Sequence, residues 1–308
     1  MQKVLVTGVN GFVGQHLARE LAAQGTSVIG VGGQQGTDGQ SEAIRDYKLL
    51  DLLDARAAES IDFGDIDGVI HLAGLAPVGP SFDEPRRYLE TNSGIQINLF
   101  EAALKQAAHP KFLIVSSGSL YDPQAPLPLT EASAVRPNSP YAVSKLTQEQ
   151  LAAYYATRGF ETVVARPFNH IGPGQNPGFI VPDLAQQVIA VERNEAKEVL
   201  VGNLDAKRDY TDVRDIVRAY RLLLERGKTG ELYNICSGVA LSGHVILAAI
   251  LDAVGAKPTI KTDPARLRPS DTPELYGSYD KLRQDTGWQP EIKLATTMQD
   301  VVADWRAR

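Results

Sequence analysis

The sequence predicts an α/β fold with a parallel, doubly wound sheet, and two observations carry that prediction. Strand-like and helix-like segments alternate through the first half of the chain. A glycine-rich turn joins the first strand to the first helix. Lys3–Thr7 is a short apolar run read as the first strand. Gly11–Ala23 has helical periodicity, with Phe12, Leu17 and Leu21 available for one face. Further strands are expected at Ser27–Val31, at Lys48–Leu50 ending on Asp51, at Gly68–Leu72, Phe112–Ser116 and Thr162–Arg166. Two long helices, Glu84–Lys105 and Ser139–Arg158, fall between them. The densest breaker segment, Asp122–Pro140, holds five prolines and reads as a loop beside the second long helix.

After Arg166 the character changes. Pro167–Gly178 is rich in proline, glycine and asparagine, and a helix is expected over Val181–Val191. Short elements follow, with scattered arginines at 208, 214, 266 and 268. This stretch reads as a smaller second lobe. Glu231–Ile235 is strand-like and is expected to return to the main sheet. The expected division is residues 1–166 with a returning segment near 231–236 for nucleotide binding, and 167–230 with 237–308 for substrate.

The chain of 308 residues can bury a sizeable core. Its net charge of −6 and lack of a basic block argue against nucleic acid as a partner. The single cysteine, Cys236, excludes an internal disulfide and a multi-cysteine metal site, and is expected to be buried at a strand end. No histidine stands at ligand spacing from His170, so no metal is expected and His170 reads as packed or substrate-adjacent. No secretion leader and no apolar run of membrane-spanning length is seen, which makes a cytoplasmic protein the expectation.

Gly8-Val9-Asn10-Gly11-Phe12-Val13-Gly14 has its glycines spaced by three and three. The first permits a tight turn, the second lets backbone approach a pyrophosphate, and the third allows close helix–strand packing. Phosphate would then sit at a helix N-terminus, where free N–H groups and the dipole favour an anion. These features predict dinucleotide binding on a Rossmann-type sheet. An acid at the end of the second strand would select NAD, and an arginine would favour the 2′-phosphate of NADP. Gly32-Gly33-Gln34-Gln35 is neither. The missing acid removes the main repulsion against a phosphate and favours NADPH, with NADH left open.

Tyr141 and Lys145 stand four apart, so on a helix they share one face. Ser139-Pro140 before them reads as an N-cap and a proline at the first helical position. A free phenol has a pKa near ~10, and a cation held nearby would favour the phenolate and pull that value down. The pair is suited to proton exchange with a hydroxyl or a carbonyl oxygen. Alone, the same pattern also describes a solvated helix face.

The glycine spacing, Asp51-Leu52, His71-Leu72-Ala73-Gly74, Tyr141/Lys145 and Ser117 together resemble the extended short-chain dehydrogenase/reductase family over essentially the whole chain. The resemblance implies cofactor contacts from Gly8, Asn10, Gly11, Phe12, Val13, Gly14, Asp51, Leu52, Leu72, Ala73, Tyr141, Lys145 and Arg166. It implies catalysis by Ser117, Tyr141 and Lys145, with Lys145 also holding the ribose. Substrate contacts would come from Ser117 and Ser119, from Asn169 in Arg166–Gln175, from Arg208 in Arg208–Asp215, and from Arg268 in Asp263–Pro269. Planar guanidinium forks suit the two phosphates of a nucleotide sugar.

In the family's 4,6-dehydratases, acidic residues follow the Ser/Thr, whereas here Gly118 and Ser119 follow Ser117. Neither can take a proton from carbon, which disfavours dehydration and leaves hydride transfer at a carbinol or ketone carbon. The chain is most similar to the group of GDP-4-dehydro-6-deoxy-D-mannose reductases, which form GDP-D-rhamnose. The implied reaction is NADPH-dependent reduction of a GDP-linked 4-keto sugar. A 4-epimerase, or a reductase giving talose or using a dTDP- or CDP-linked sugar, remains the alternative. A non-catalytic NADP-sensing protein is a third class, against which the intact Ser117/Tyr141/Lys145 set argues. A homodimer through 84–105 and 139–158 is expected by analogy.

Overall fold

Alternating side chains on the early strands point to two apolar layers, and the fold gives each layer its own helices. The computed structural model describes residues 1–33, 42–266 and 272–308. The main sheet consists of β1 (Lys3–Thr7), β2 (Ser27–Gly32), β3 (Ile44–Leu49), β4 (Gly68–His71), β5 (Lys111–Val115), β6 (Thr162–Pro167) and β10 (Leu232–Ile235). All seven strands run parallel, in the order β3-β2-β1-β4-β5-β6-β10. This is the doubly wound order that places a ligand crevice at the carboxyl ends of the strands.

Val4 and Val6 of β1 face one layer, where α1 (Phe12–Ala23) and α6 (Val213–Arg226) pack. Leu5 faces the other layer, with α2 (Ala55–Glu59), α3 (Pro85–Lys105) and α4 (Pro140–Ala156). Phe100 of α3 stacks on Phe112 and Tyr155 at centroid distances of 4.1 and 4.2 Å, which locks α3 against β5 and α4.

The smaller lobe carries β7 (Asn169–Ile171), β9 (Lys207–Asp212), β11 (Ala240–Ser242) and β13 (Glu274–Leu275), all paired on β9. A second pair is formed by β8 (Glu198–Val201) and β12 (Thr259–Thr262). Helices α5 (Ile180–Glu192), α7 (Gly243–Val254) and α9 (Leu294–Ala307) close a separate core around Val188, Ile246 and Val301. Helix α8 (Asp280–Thr286) runs beside β10.

Two elements differ from the sequence expectation. β3 begins at Ile44 rather than Lys48. It is an edge strand with exposed Arg45 and Asp46, so it carries no apolar run to read. α6 lies in the 167–230 stretch assigned to the second lobe, yet Ile216, Ala219, Tyr220 and Leu223 are buried in the core it shares with α1. Its arginines 214, 218 and 221 lie opposite that apolar stripe, so the helical period is present in the sequence but does not record which core it covers. Among the described residues no helix is long and apolar enough to cross a membrane, and no group of three or more His, Cys, Asp or Glu could hold a metal ion.

Candidate active site

The glycine turn fits the close approach of a dinucleotide. Gly8 has φ of 70°, and a Cβ there would sit 2.9 Å from the backbone nitrogen of Ala73, so only glycine lets β1 turn beneath the chain leaving β4. A Cβ on Gly14 would fall 2.4 Å from the Gly8 carbonyl oxygen, so the third glycine seats α1 on the turn. No side chain caps the N-terminus of α1 at Gly11, and its first N–H groups and dipole suit a pyrophosphate. Phe12 and Val13 open that helix. Asn10 donates from Nδ2 to the Tyr47 hydroxyl at 2.7 Å, tying the turn to β3.

Leu72 and Ala73 follow β4 beside Gly8, and both bond Thr7, Leu72 N–H to its carbonyl and Ala73 N–H to its hydroxyl. Asp51 is exposed and accepts from the Leu53 N–H at 3.0 Å, and Leu52 is buried with its carbonyl held by Asn98. Gln34, Gln35 and Arg268 lie outside the described residues.

The second cluster forms where β5 ends. Ser139 caps α4, its Oγ accepting from the Ala142 N–H at 3.1 Å, and Pro140 follows at the first helical position. That start sets Tyr141 and Lys145 on the inward face, both buried. Ser117, just beyond β5, lies beside the Tyr141 phenol, and its hydroxyl favours the phenolate. Its Oγ also lies 2.9 Å from Ser119 Oγ. Lys145 Nζ donates to the Val115 carbonyl and to Gln148 Oε1, each at 2.9 Å, and lies 5.9 Å from the Tyr141 ring centroid.

The electrostatics correct one expectation. Burial, the largest cause, pushes the Tyr141 phenol above its ordinary value, with the Ser117 hydrogen bond opposing and Tyr88 reinforcing. Lys145 does not offset this, because its ammonium is directed at Val115 and Gln148. Lys145 is itself brought down to about 8 by burial, against the support of Glu149. A largely protonated phenol therefore faces the site at neutral pH.

Arg166 is held largely by protein groups. Its side chain is only 5% exposed. It grips both carboxylate oxygens of Glu149 at 2.8 and 2.7 Å and stacks on Tyr121 at 4.7 Å. It stands behind the cluster and braces α4 against β6. Asn169 is exposed on β7. On β9, Arg208 donates from Nη1 to the Thr272 carbonyl at 2.7 Å. His170 stacks on Phe12 at 6.1 Å and 14°, and the His16 imidazole lies 2.9 Å from the Pro173 carbonyl. The glycine turn thus touches the 167–178 segment directly. Burial lowers the pKa of both histidines. Cys236 is buried, with its thiol pushed up by burial.

Gln148, Glu149 and Asn92 are the residues that sequence reasoning passed over. The spacing from Tyr141 to Lys145 to Gln148 was a usable signal, since i, i+4 and i+7 share a helix face. The Gly118 position also gains a physical reason: a Cβ there would lie 3.0 Å from the Phe168 ring. Gly118→Asp is therefore expected to cost about 1–3 kcal/mol through overpacking and to create no dehydratase activity. Urea denaturation and product analysis check this, and a fully stable variant that releases water would contradict it.

The sequence model of the family described as GDP-mannose 4,6 dehydratase matches residues 5–301. A GDP-6-deoxy-D-mannose reductase of Pseudomonas aeruginosa is 36% identical, covering 100% of this chain and 98% of that protein. A UDP-glucose 4-epimerase of Pisum sativum is 28% identical, covering 97% and 94%. Among solved structures, RMD from Pseudomonas aeruginosa complexed with NADPH superposes with a TM-score of 0.89 at 34% identity, covering 100% and 99%. A putative epimerase from Burkholderia cenocepacia gives a TM-score of 0.89 at 34% identity over the same shares.

Proposed function

The chain belongs to the GDP-mannose 4,6-dehydratase family of extended short-chain dehydrogenases/reductases, and from that premise we propose that it is an NADPH-dependent reductase of the C4 ketone of GDP-4-dehydro-6-deoxy-D-mannose, giving GDP-D-rhamnose. The observation that carries this reading is the cluster of buried Tyr141 and Lys145 beside the half-buried Ser117, with Gly118 and Ser119 following Ser117. It holds a phenol ready to protonate an oxygen and offers no carboxylate in the positions that serve dehydration. The identity to the Pseudomonas reductase and the likeness to its NADPH complex support the substrate and the cofactor.

NADPH supplies a hydride when bound. The uncapped start of α1 and the cradle over Gly8 and Gly14 would hold its pyrophosphate. Tyr141 gives its proton to the C4 oxygen as charge develops there, and Ser117 donates a hydrogen bond to the same oxygen. Lys145 would hold the ribose. Asn169, Arg208 and Arg268 would meet the nucleotide sugar. Asp51 and Leu52 would line the adenine site.

The test supplies GDP-4-dehydro-6-deoxy-D-mannose with NADPH, follows loss of the reduced-nicotinamide absorbance, and identifies the C4 configuration of the product. Stoichiometric consumption of NADPH with a rhamnose product is expected. Cofactor that co-purifies and is never consumed would instead make the chain a 4-epimerase, and a talose product or preference for another base would reassign the sugar. The exposed Val143 and Tyr154 on α4 support a homodimer through α3 and α4, checked by mass in solution. A cytoplasmic location and a role in supplying activated sugars for glycan assembly belong to the same proposal.

A further inference from the structure

We propose that Gln148 is a positioning residue for Lys145, its side-chain amide fixing where the ammonium points. The inference rests on the role given to Lys145 above. Gln148 is 1% exposed, and its amide is engaged at both ends. Oε1 accepts from Lys145 Nζ at 2.9 Å. Nε2 donates to the Asn92 carbonyl at 2.9 Å and faces His71 Nε2 at 3.2 Å. The orientation of the amide is fixed by its partners. An ammonium only donates, so oxygen must face Lys145, and a carbonyl only accepts, so nitrogen must face Asn92.

The same logic runs outward. The second Nε2 proton requires His71 Nε2 to be an acceptor, so the His71 proton sits on Nδ1 and is donated to Thr7 Oγ1 at 2.8 Å. Thr7 Oγ1 also accepts from the Ala73 N–H at 3.1 Å. Burial, with the Lys145 cation, pushes His71 down to about 3 and keeps it neutral. A protonated His71 would set an N–H against an N–H and break the chain. Thr7 precedes Gly8, and Ala73 is the residue that presses on it. One continuous hydrogen-bond chain therefore runs from the nucleotide-binding turn to the lysine.

For Lys145 the consequence is geometric. A tetrahedral ammonium has three N–H bonds, and Val115 and Gln148 take two. With those held, the direction of the third is set, and the proposed function assigns it to the ribose. The charged and titratable groups around the ammonium are His71 from β4, Tyr141 and Glu149 from α4, and Arg166 from β6 behind Glu149. Gln148 is the neutral acceptor among them. It favours the charged lysine without adding the negative charge that would hold it too tightly.

The experiment compares Gln148→Leu and Gln148→Glu with the unmodified protein. Thermal unfolding establishes that each variant folds. Gln148→Leu is expected to lower kcat about ten- to thirtyfold, the effect of losing a hydrogen bond to a charged group, with KM changed less than about twofold. Independently of turnover, an NMR titration of the Lys145 ε-carbon in the cofactor-free protein should show opposite shifts. Its midpoint moves down in Gln148→Leu, where the acceptor is gone, and up in Gln148→Glu, where a carboxylate faces the ammonium. If the leucine variant fails to fold, the glutamate variant still decides the sign. An unchanged Lys145 midpoint in folded variants, or a loss confined to KM or thermal stability, overturns the inference. Absence of turnover by the unmodified protein with a normal set of titrations would instead overturn the proposed function and leave this positioning role standing.

Discussion

Tyr141→Phe is expected to lower turnover by about a hundredfold to ten-thousandfold, the range associated with a positioned general acid, while leaving cofactor binding intact. The substitution removes one hydroxyl and keeps the ring, which is 8% exposed and packed in the site. The Ser117 hydroxyl beside the phenol keeps Ser119 Oγ 2.9 Å away as a partner, so the fold should survive. The measurement is kcat with the keto sugar, beside a fluorescence titration of NADPH. Turnover near the unmodified level would remove Tyr141 from proton transfer. Weakened cofactor binding with normal kcat would reassign it to holding the nicotinamide. Because burial raises the phenol pKa, Tyr141 carries its proton at neutral pH. That is the form a reductase needs at the moment hydride arrives.

Breaking the Glu149–Arg166 pair should give the largest loss of stability. Glu149→Ala leaves a guanidinium 5% exposed with no carboxylate, and such an orphaned charge costs about 3–5 kcal/mol. The double change Glu149→Leu with Arg166→Met removes both charges and should recover much of that loss, since paired apolar replacements of a buried ion pair are often near neutral. Urea unfolding of the single and double variants measures the coupling. A single variant within about 1 kcal/mol of the parent would show that the pair is not needed to hold α4 on β6. The pair sits one turn beyond Lys145, so activity should fall with it even where the fold persists.

The parts of the site legible in the sequence were those whose cause is local. Gly8 is required locally by its positive φ and Gly14 by the turn beneath it, and Ser139-Pro140 by the helix they start. Tyr141 and Lys145 share a face because of helical pitch alone. The early strands showed because both faces of the sheet are buried, so apolar residues run on without interruption. β3 began four residues before its expected start because it lies at the exposed sheet edge. For Arg166 a motif names a residue type and not its protein partner. That partner, Glu149, lies seventeen residues away and accepts from Nε and Nη2 of the guanidinium.

By itself the sequence determined a parallel α/β sheet with a dinucleotide turn, an activatable phenol, and no acid beside it to remove water. Each of these is a requirement that neighbouring residues impose on one another within a few positions. The tertiary structure alone decided that burial raises the phenol rather than the lysine lowering it. It also decided that α6 packs with the sheet, and that Lys145 is aimed by Gln148 through His71, seventy-seven residues earlier in the chain. Desolvation and long-range hydrogen bonds depend on which distant segments meet, and no local pattern of residues records that meeting.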